Sequence, residues 1–199
     1  MLRDIELSTE RHRAAVPEWP VNIGSRCPLL GFAGWSGAGK TTLLAKLLPP
    51  LRQSGLRIAV IKHAHHRFDV DYPGKDSHVL RGAGAGQILI SSGHRRVLIQ
   101  EKATEKDPQL IEELALLDQD ELDLILVEGF RDEPIPKLEV YRRELARGFR
   151  FPRDPAVLAL ATDTPPPGGG RDITALDLND VDGVLGFVRT LCRVQRAIL

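Results

Sequence analysis

Cysteine is nearly absent: the chain has two, Cys27 and Cys192, in 199 residues. They stand far apart and lack metal-ligand spacing. This excludes a disulfide-stapled fold and a cysteine zinc cluster, and they read as small packing residues in a reducing cytoplasm. An excess of one charge is also missing. Basic and acidic residues balance at 27 each, so a general polyanion binder is excluded. Aromatics are only 5% of the chain, and no basic stretch is studded with them, which disfavours a nucleic-acid partner. No apolar run approaches a membrane span, and the N-terminus has no signal-peptide core, so the expectation is a cytoplasmic protein that does not engage a membrane. What remains is an ordinary apolar share, 42%, sufficient for one full core.

Against that background stands GFAGWSGAGKTTLLAKLL, residues 31–48. Gly34-Trp35-Ser36-Gly37-Ala38-Gly39-Lys40-Thr41 fits the phosphate-loop pattern G-x-x-x-x-G-K-[ST], with an apolar strand before it and a helical stripe after it. Glycine is needed where the backbone must curl with positive φ and bring successive N–H groups to phosphate oxygens. The following helix adds free N–H groups and its positive dipole end. Ser36, Gly37, Ala38, Gly39, Lys40, Thr41 and Thr42 are therefore the nucleotide-binding candidates. Lys40 is expected at the β- and γ-phosphates, Thr41 at a magnesium ion bridging them, and Thr42 near the α-phosphate.

Residues 1–28 mix charges with prolines, show no sustained period and read as an extension, disordered in places, ahead of a domain at 29–199. The first helix is expected to kink or shorten at Pro49 and Pro50 and to close at Gly55. Leu56–Lys62 then reads as a buried strand. The polar, glycine-rich stretch from His63 to Gly86 reads as a functional loop with a short helix from Lys75-Asp76-Ser77 to about Gly82. Strands at 87–92 and 96–101 suggest a hairpin, and Asp107 and Pro108 a helix running to about Leu117. LDLILV, residues 122–127, is a run expected of a parallel strand covered on both faces, ending at Glu128. Strands at 138–141 and 156–161 and a helix from Asp180 to Gln195 complete a doubly wound α/β fold. Its sheet is mainly parallel, with helices on both faces and the hairpin as an excursion.

In such folds ligands lie outside the carboxyl ends of the strands, so the phosphate loop, the segment after Lys62, Glu128 and Asp163 are expected to converge. Glu128 is the candidate catalytic and magnesium-directed acid, through a metal-bound or attacking water. Asp69 and Asp71 lie on the loop expected near the γ-phosphate. Asp71 is the better candidate for metal-bound water, and plain solvation is the competing reading of both. Lys62, His63, Asp69, Asp71, Lys75 and Asp76 form a candidate switch segment, ordered by γ-phosphate and magnesium. His63, His65 and His66 lack the companions of a zinc site and read as polar lining. Asp163 could accept from the paired donors of a guanine edge, although no N-K-x-D run precedes it.

In chain order, GWSGAGKTTLL, VIKHAHHRFDVDYPGKDSHVLRGAGA, LDLILVEGF and IPKLEVYR resemble the molybdopterin-guanine dinucleotide biosynthesis adaptor family, MobB, over about residues 29–199. The resemblance implies a phosphate-loop protein that binds GTP with magnesium, hydrolyses it weakly at most, and acts as a homodimer. It also implies that the protein assists the guanylyltransferase MobA in attaching GMP to molybdopterin, with contact to a pathway intermediate open. It carries over onto Gly37, Gly39, Lys40 and Thr41, onto Asp69, Asp71, Lys75 and Asp76, and onto Glu128. The N-terminal extension and the PPPGGG tract depart from the pattern. A small-molecule kinase using the same loop is the alternative; Arg81, Arg95, Arg96 and Arg131 are at hand for it, but in no recognisable lid pattern.

Overall fold

The computed structural model describes residues 23–64, 68–166 and 172–199. His65, His66 and the glycines of the PPPGGG tract lie outside the described residues, as does most of the N-terminal extension. The strands are β1 (Leu29–Ala33), β2 (Ile58–Lys62), β3 (Gln87–Ser91), β4 (Arg96–Gln100), β5 (Leu124–Glu128), β6 (Lys137–Tyr141), β7 (Val157–Thr162) and β8 (Thr174–Asp177). The helices are α1 (Lys40–Gln53), α2 (Asp76–Gly82), α3 (Leu110–Leu114) and α4 (Val181–Arg196). By contacts the chain falls into a larger unit, through His63 and again from Gln109 to Leu199, and a smaller one, Ala64–Pro108.

The larger unit is built on a six-stranded sheet in the order β2-β5-β1-β6-β7-β8, every neighbouring pair parallel. β1, β5 and β6 are buried along their whole length, as strands covered on both faces must be. Alternation sends Leu30, Phe32, Leu124, Leu126, Leu138 and Val140 to one face, under Leu43, Leu47 and Leu51 of α1 and Val184 and Val188 of α4. Leu29, Ile125 and Val127 go to the other, under Leu110 and Leu114 of α3. Helices therefore lie on both faces, and the fold is the phosphate-loop type of α/β architecture. Both cysteines are free and buried. Burial, reinforced by Cys192 and Asp123, pushes the Cys27 thiol up to about 11, in keeping with packing rather than reactivity.

Four elements differ from expectation. β2, read as a buried strand, has no fully buried residue and Val60 is 43% exposed, because it ends the sheet and pairs with β5 alone among the six strands. α1 does not break at its two prolines but continues to Gln53. The rings forfeit two backbone bonds, yet Leu47 and Leu51, on either side of them, are completely buried, and that packing holds the turn. α3 begins after Gln109 rather than at Asp107, and ends early because the Gln119 amide donates to the Leu114 carbonyl at 2.9 Å. β8 was not expected: TALD is too short and polar to announce a strand, and only its pairing with β7 at the sheet edge makes it one.

β6 carries two charges into the buried sheet. The Lys137 ammonium meets Asp154 at 2.8 Å. Glu139 accepts from the backbone N–H of Arg150 at 2.7 Å and of Phe151 at 2.9 Å. Burial pushes the Glu139 carboxyl above its ordinary range, against the pull of those two bonds. Tyr141 continues the row by stacking on Phe149, ring centroids 3.8 Å apart. One side of β6 thereby anchors the segment that follows it.

The smaller unit holds the expected hairpin, with Leu89 opposite Leu98 and Ile88 opposite Ile99, and the expected short helix, α2.

The ion pair under β6 gives the first prediction. Asp154→Ala strands the Lys137 ammonium in the interior and is expected to lower unfolding free energy by about 3–5 kcal/mol in urea titrations. Replacing both partners together, Lys137→Met with Asp154→Leu, is expected to recover most of that loss.

Candidate functional site

The loop between β1 and α1 has the backbone its glycines foretell. Gly34, Gly37 and Gly39 have φ of 135°, 83° and 93°. A Cβ on Gly34 would run into the Val140 carbonyl oxygen of β6, so the strand entering the loop must be bare at that point. Ala38 is completely buried and its N–H bonds the Trp35 carbonyl at 3.2 Å, folding the loop on itself. Lys40 curls back, its ammonium donating to the carbonyls of Gly34 at 3.0 Å and Trp35 at 2.9 Å. α1 starts at Lys40 with no side-chain cap and no acid in its first turn. Its first N–H groups and positive dipole end are thus left for an anion. Burial lowers the Lys40 pKa; Glu128 opposes this, and Lys62 adds to it. Ser36 and Thr42 are exposed beside it.

Glu128 ends β5, next to β1 and in register with Lys62 of β2. Its carboxylate is buried and accepts from the Thr41 hydroxyl at 2.7 Å. The Lys62 ammonium stands 3.3 Å from the other carboxylate oxygen and 3.3 Å from the Thr41 hydroxyl oxygen. Two oxygen donors suited to a hard cation are therefore in contact at the start of α1, which fits a magnesium ion beside bound phosphates. Past Glu128 the chain turns through left-handed Gly129 and Phe130, φ 94° and 48°. A Cβ on Gly129 would lie 2.6 Å from that of His63. The His63 N–H bonds the Glu128 carbonyl at 2.8 Å and its ring packs on Phe130, centroids 5.0 Å apart. The ends of β2 and β5 are thereby locked together.

Asp163, the base-recognition candidate, follows β7. One carboxylate oxygen accepts from the Arg143 N–H at 2.9 Å, and the other lies 3.9 Å from the Arg142 guanidinium. It pins the turn after β6 with one oxygen. That turn was missed by sequence reasoning. Arg142 lies across the loop, its Nε 3.4 Å from where a Cβ on Gly39 would be. Leu145 packs toward Gly37, the Trp35 indole donates to the Gly148 carbonyl at 2.9 Å, and Arg147 sits over the Trp35 ring. The available signal was the strand-end rule applied to IPKLEVYR, since a strand beside β1 delivers its next residues to the loop.

Asp69, Asp71, Lys75 and Asp76 belong to the smaller unit. Asp69 accepts from Arg81 at 2.8 Å and from the Asp71 N–H at 3.1 Å; the Arg81 bond leads in holding its carboxyl below the ordinary range. Asp71 is buried, one oxygen taking the Ser77 hydroxyl at 3.0 Å and the other 3.9 Å from Arg81. Lys75 lies over the Tyr72 ring, and Asp76 opens α2. No cluster of three or more histidine, cysteine or acidic side chains able to hold a metal occurs among the described residues. Among those residues, too, no helix is long and apolar enough to cross a membrane. An open depression of about 600 Å³ between the last turns of α1 and the start of β2 lies at the far end of that helix from the loop and holds none of this chemistry.

Strand order, loop and strand-end acid together define a phosphate-loop α/β protein. Within that class, the model of the family "Molybdopterin guanine dinucleotide synthesis protein B", MobB, matches residues 29–163, and the chain belongs to that family. A molybdopterin-guanine dinucleotide biosynthesis adapter protein of Escherichia coli is 46% identical over 162 residues, 81% of this chain and 91% of the relative. One of Haemophilus influenzae is 40% identical over 167 residues, 83% and 90% of the two chains. Among solved structures, a MobB homolog from Bacillus stearothermophilus superposes with a TM-score of 0.63 at 22% identity, covering 83% of this chain and 98% of its own. At that identity the likeness speaks for the fold.

The close approach of Gly34 to β6 supplies the second prediction. Gly34→Ala is expected to cost about 2–3 kcal/mol in urea unfolding, from a disfavoured φ plus the collision with Val140. Gly55→Ala, also at positive φ but in open space, is expected to cost only about 1 kcal/mol.

Proposed function

We propose that the protein is a GTP-binding adapter in molybdopterin guanine dinucleotide synthesis that assists a MobA-type guanylyltransferase. It works as a homodimer and hydrolyses GTP weakly or not at all. The observation that carries this reading is the Thr41–Glu128 hydrogen bond at the mouth of a complete phosphate loop, in a chain whose relatives are named adapters in that synthesis. The backbone N–H groups of the loop and of the first turn of α1 cradle the phosphates. Lys40 exchanges two carbonyls of its own loop for the terminal phosphates, a move that needs only side-chain rotation. Thr41 and Glu128 are the residues that would hold magnesium, which when bound bridges and neutralises the β- and γ-phosphates. Asp163, at the carboxyl end of β7 and bonded to the Arg143 N–H, is the residue this reading assigns to the guanine edge.

Weak turnover follows from what surrounds Glu128. One carboxylate oxygen is taken by the Thr41 hydroxyl and the other faces the Lys62 ammonium or, with nucleotide, the metal, so neither is left to position an attacking water. Nucleotide then acts through binding, and by reciprocity a nucleotide that tightens the partner is itself tightened by it. Homodimer formation is supported by the hairpin. Leu89 and Leu98, directly opposite each other, are 60% and 50% exposed, and a two-stranded sheet with such a face is marginal unless covered.

Two outcomes check this. Lys40→Ala is expected to weaken GTP by about 2–3 kcal/mol, as a lost charge-assisted contact does, and GMP far less; equal weakening of both in calorimetry contradicts the assignment. Leu89→Lys with Leu98→Lys is expected to halve the mass seen by sedimentation while GTP still binds; an unchanged mass removes the hairpin from the dimer surface.

A further inference from the structure

The residues that would receive a metal ion are already in contact with a cation that belongs to the chain. The Lys62 ammonium is 3.3 Å from a Glu128 carboxylate oxygen and 3.3 Å from the Thr41 hydroxyl oxygen, while the Thr41 hydroxyl donates a hydrogen bond to the other Glu128 oxygen. Three side chains thus close a ring in which the outward donors of both oxygen-bearing residues are engaged. The ring is built in: Lys62 and Glu128 are register partners on adjacent parallel strands, so the lysine reaches the carboxylate from the neighbouring strand end. It is also adjustable, since the Lys62 side chain is about half exposed and the Glu128 side chain only 11%. The carboxylate stays where it is, and the ammonium on its flexible stem can leave.

The local charge sum gives this ring a consequence. Lys40, at the loop, and Lys62 contribute two positive charges and Glu128 one negative. With no anion present the mouth of the loop is net positive, so it attracts phosphate and repels a free divalent cation. A triphosphate reverses the sign. Resting on the nucleotide reading above, we infer that Lys62 is a tethered stand-in for magnesium: it occupies the metal donors of the nucleotide-free protein, excludes the free ion, and yields them only when metal arrives with polyphosphate. Thr41 and Glu128 are then held in place and neutralised without metal, and the released ammonium becomes a second cation for the terminal phosphates.

The test compares wild type with Lys62→Met, which keeps the stem and removes the charge, and with Lys62→Arg, which keeps the charge. Free Mn²⁺ is titrated into nucleotide-free protein and followed by electron paramagnetic resonance, and GTP binding is measured by calorimetry in magnesium and in chelator. Lys62→Met is expected to bind free Mn²⁺ at least tenfold more tightly than wild type. It is also expected to show at least a threefold larger ratio of GTP affinity in magnesium to that in chelator, because nothing then substitutes for the metal. Lys62→Arg is expected to stay within twofold of wild type in Mn²⁺ affinity. Unchanged Mn²⁺ affinity and an unchanged ratio in Lys62→Met, with GTP still bound, overturn the stand-in role and leave the nucleotide reading intact. Failure of wild type to bind GTP in either condition overturns both. Thermal melts of the three proteins confirm that the comparison is between folded chains.

Discussion

The hydrogen bond from Thr41 to Glu128 joins the first turn of α1 to the end of β5, and the geometry of the site depends on it. A phosphate loop is anchored through β1 on one side and through its helix on the other. Here the helix side is also tied to the neighbouring strand, because β5 pairs directly with β1 and brings Glu128 level with Phe32. The carboxylate tolerates its burial because it accepts a hydrogen bond from the Thr41 hydroxyl and faces an ammonium. Remove either and a desolvated charge is left short of partners. The turn past it, with consecutive left-handed residues at Gly129 and Phe130, is held by the backbone bond to His63 and the ring packing beneath.

A second constraint comes from β6. Because it lies on the other side of β1, the residues leaving its carboxyl end meet the phosphate loop from the flank opposite Glu128. Gly34 passes under the Val140 carbonyl, Arg142 lies over Gly39, and Trp35 reaches Gly148. The row Lys137, Glu139 and Tyr141 fixes the following segment from below. Charges in a fully buried strand are costly, and each here is matched by a partner in the segment it holds. The loop is thus clamped between two strand ends, which limits reorganisation when an anion enters.

Much of this could be read in the chain, for a local reason. The phosphate loop, the apolar run ending at Glu128, the hairpin and α2 are each written in one contiguous stretch whose glycines, capping residues or alternation state the outcome. What could not be read depends on distant packing. The survival of α1 across Pro49 and Pro50 is decided by the burial of Leu47 and Leu51 against the sheet. β8 is a strand only because β7 offers it an edge. Arg142 enters the site because β6 neighbours β1, which strand order decides, and the pinning of Arg143 by Asp163 joins residues 20 apart. Lys62 was legible as a strand-end lysine, but its contact with both Thr41 and Glu128 required the parallel register of β2 on β5.

We propose that the mouth of the loop is a guanine nucleotide site whose affinity resides in the terminal phosphates and their metal. Calorimetric titration of the unaltered protein with GTP, GDP, GMP and ATP in magnesium tests it most directly. One nucleotide per chain is expected, with affinity falling in the order GTP, GDP, GMP and ATP binding more weakly than GTP. Equal affinity for GTP and GMP, or no binding of any of the four, would contradict it.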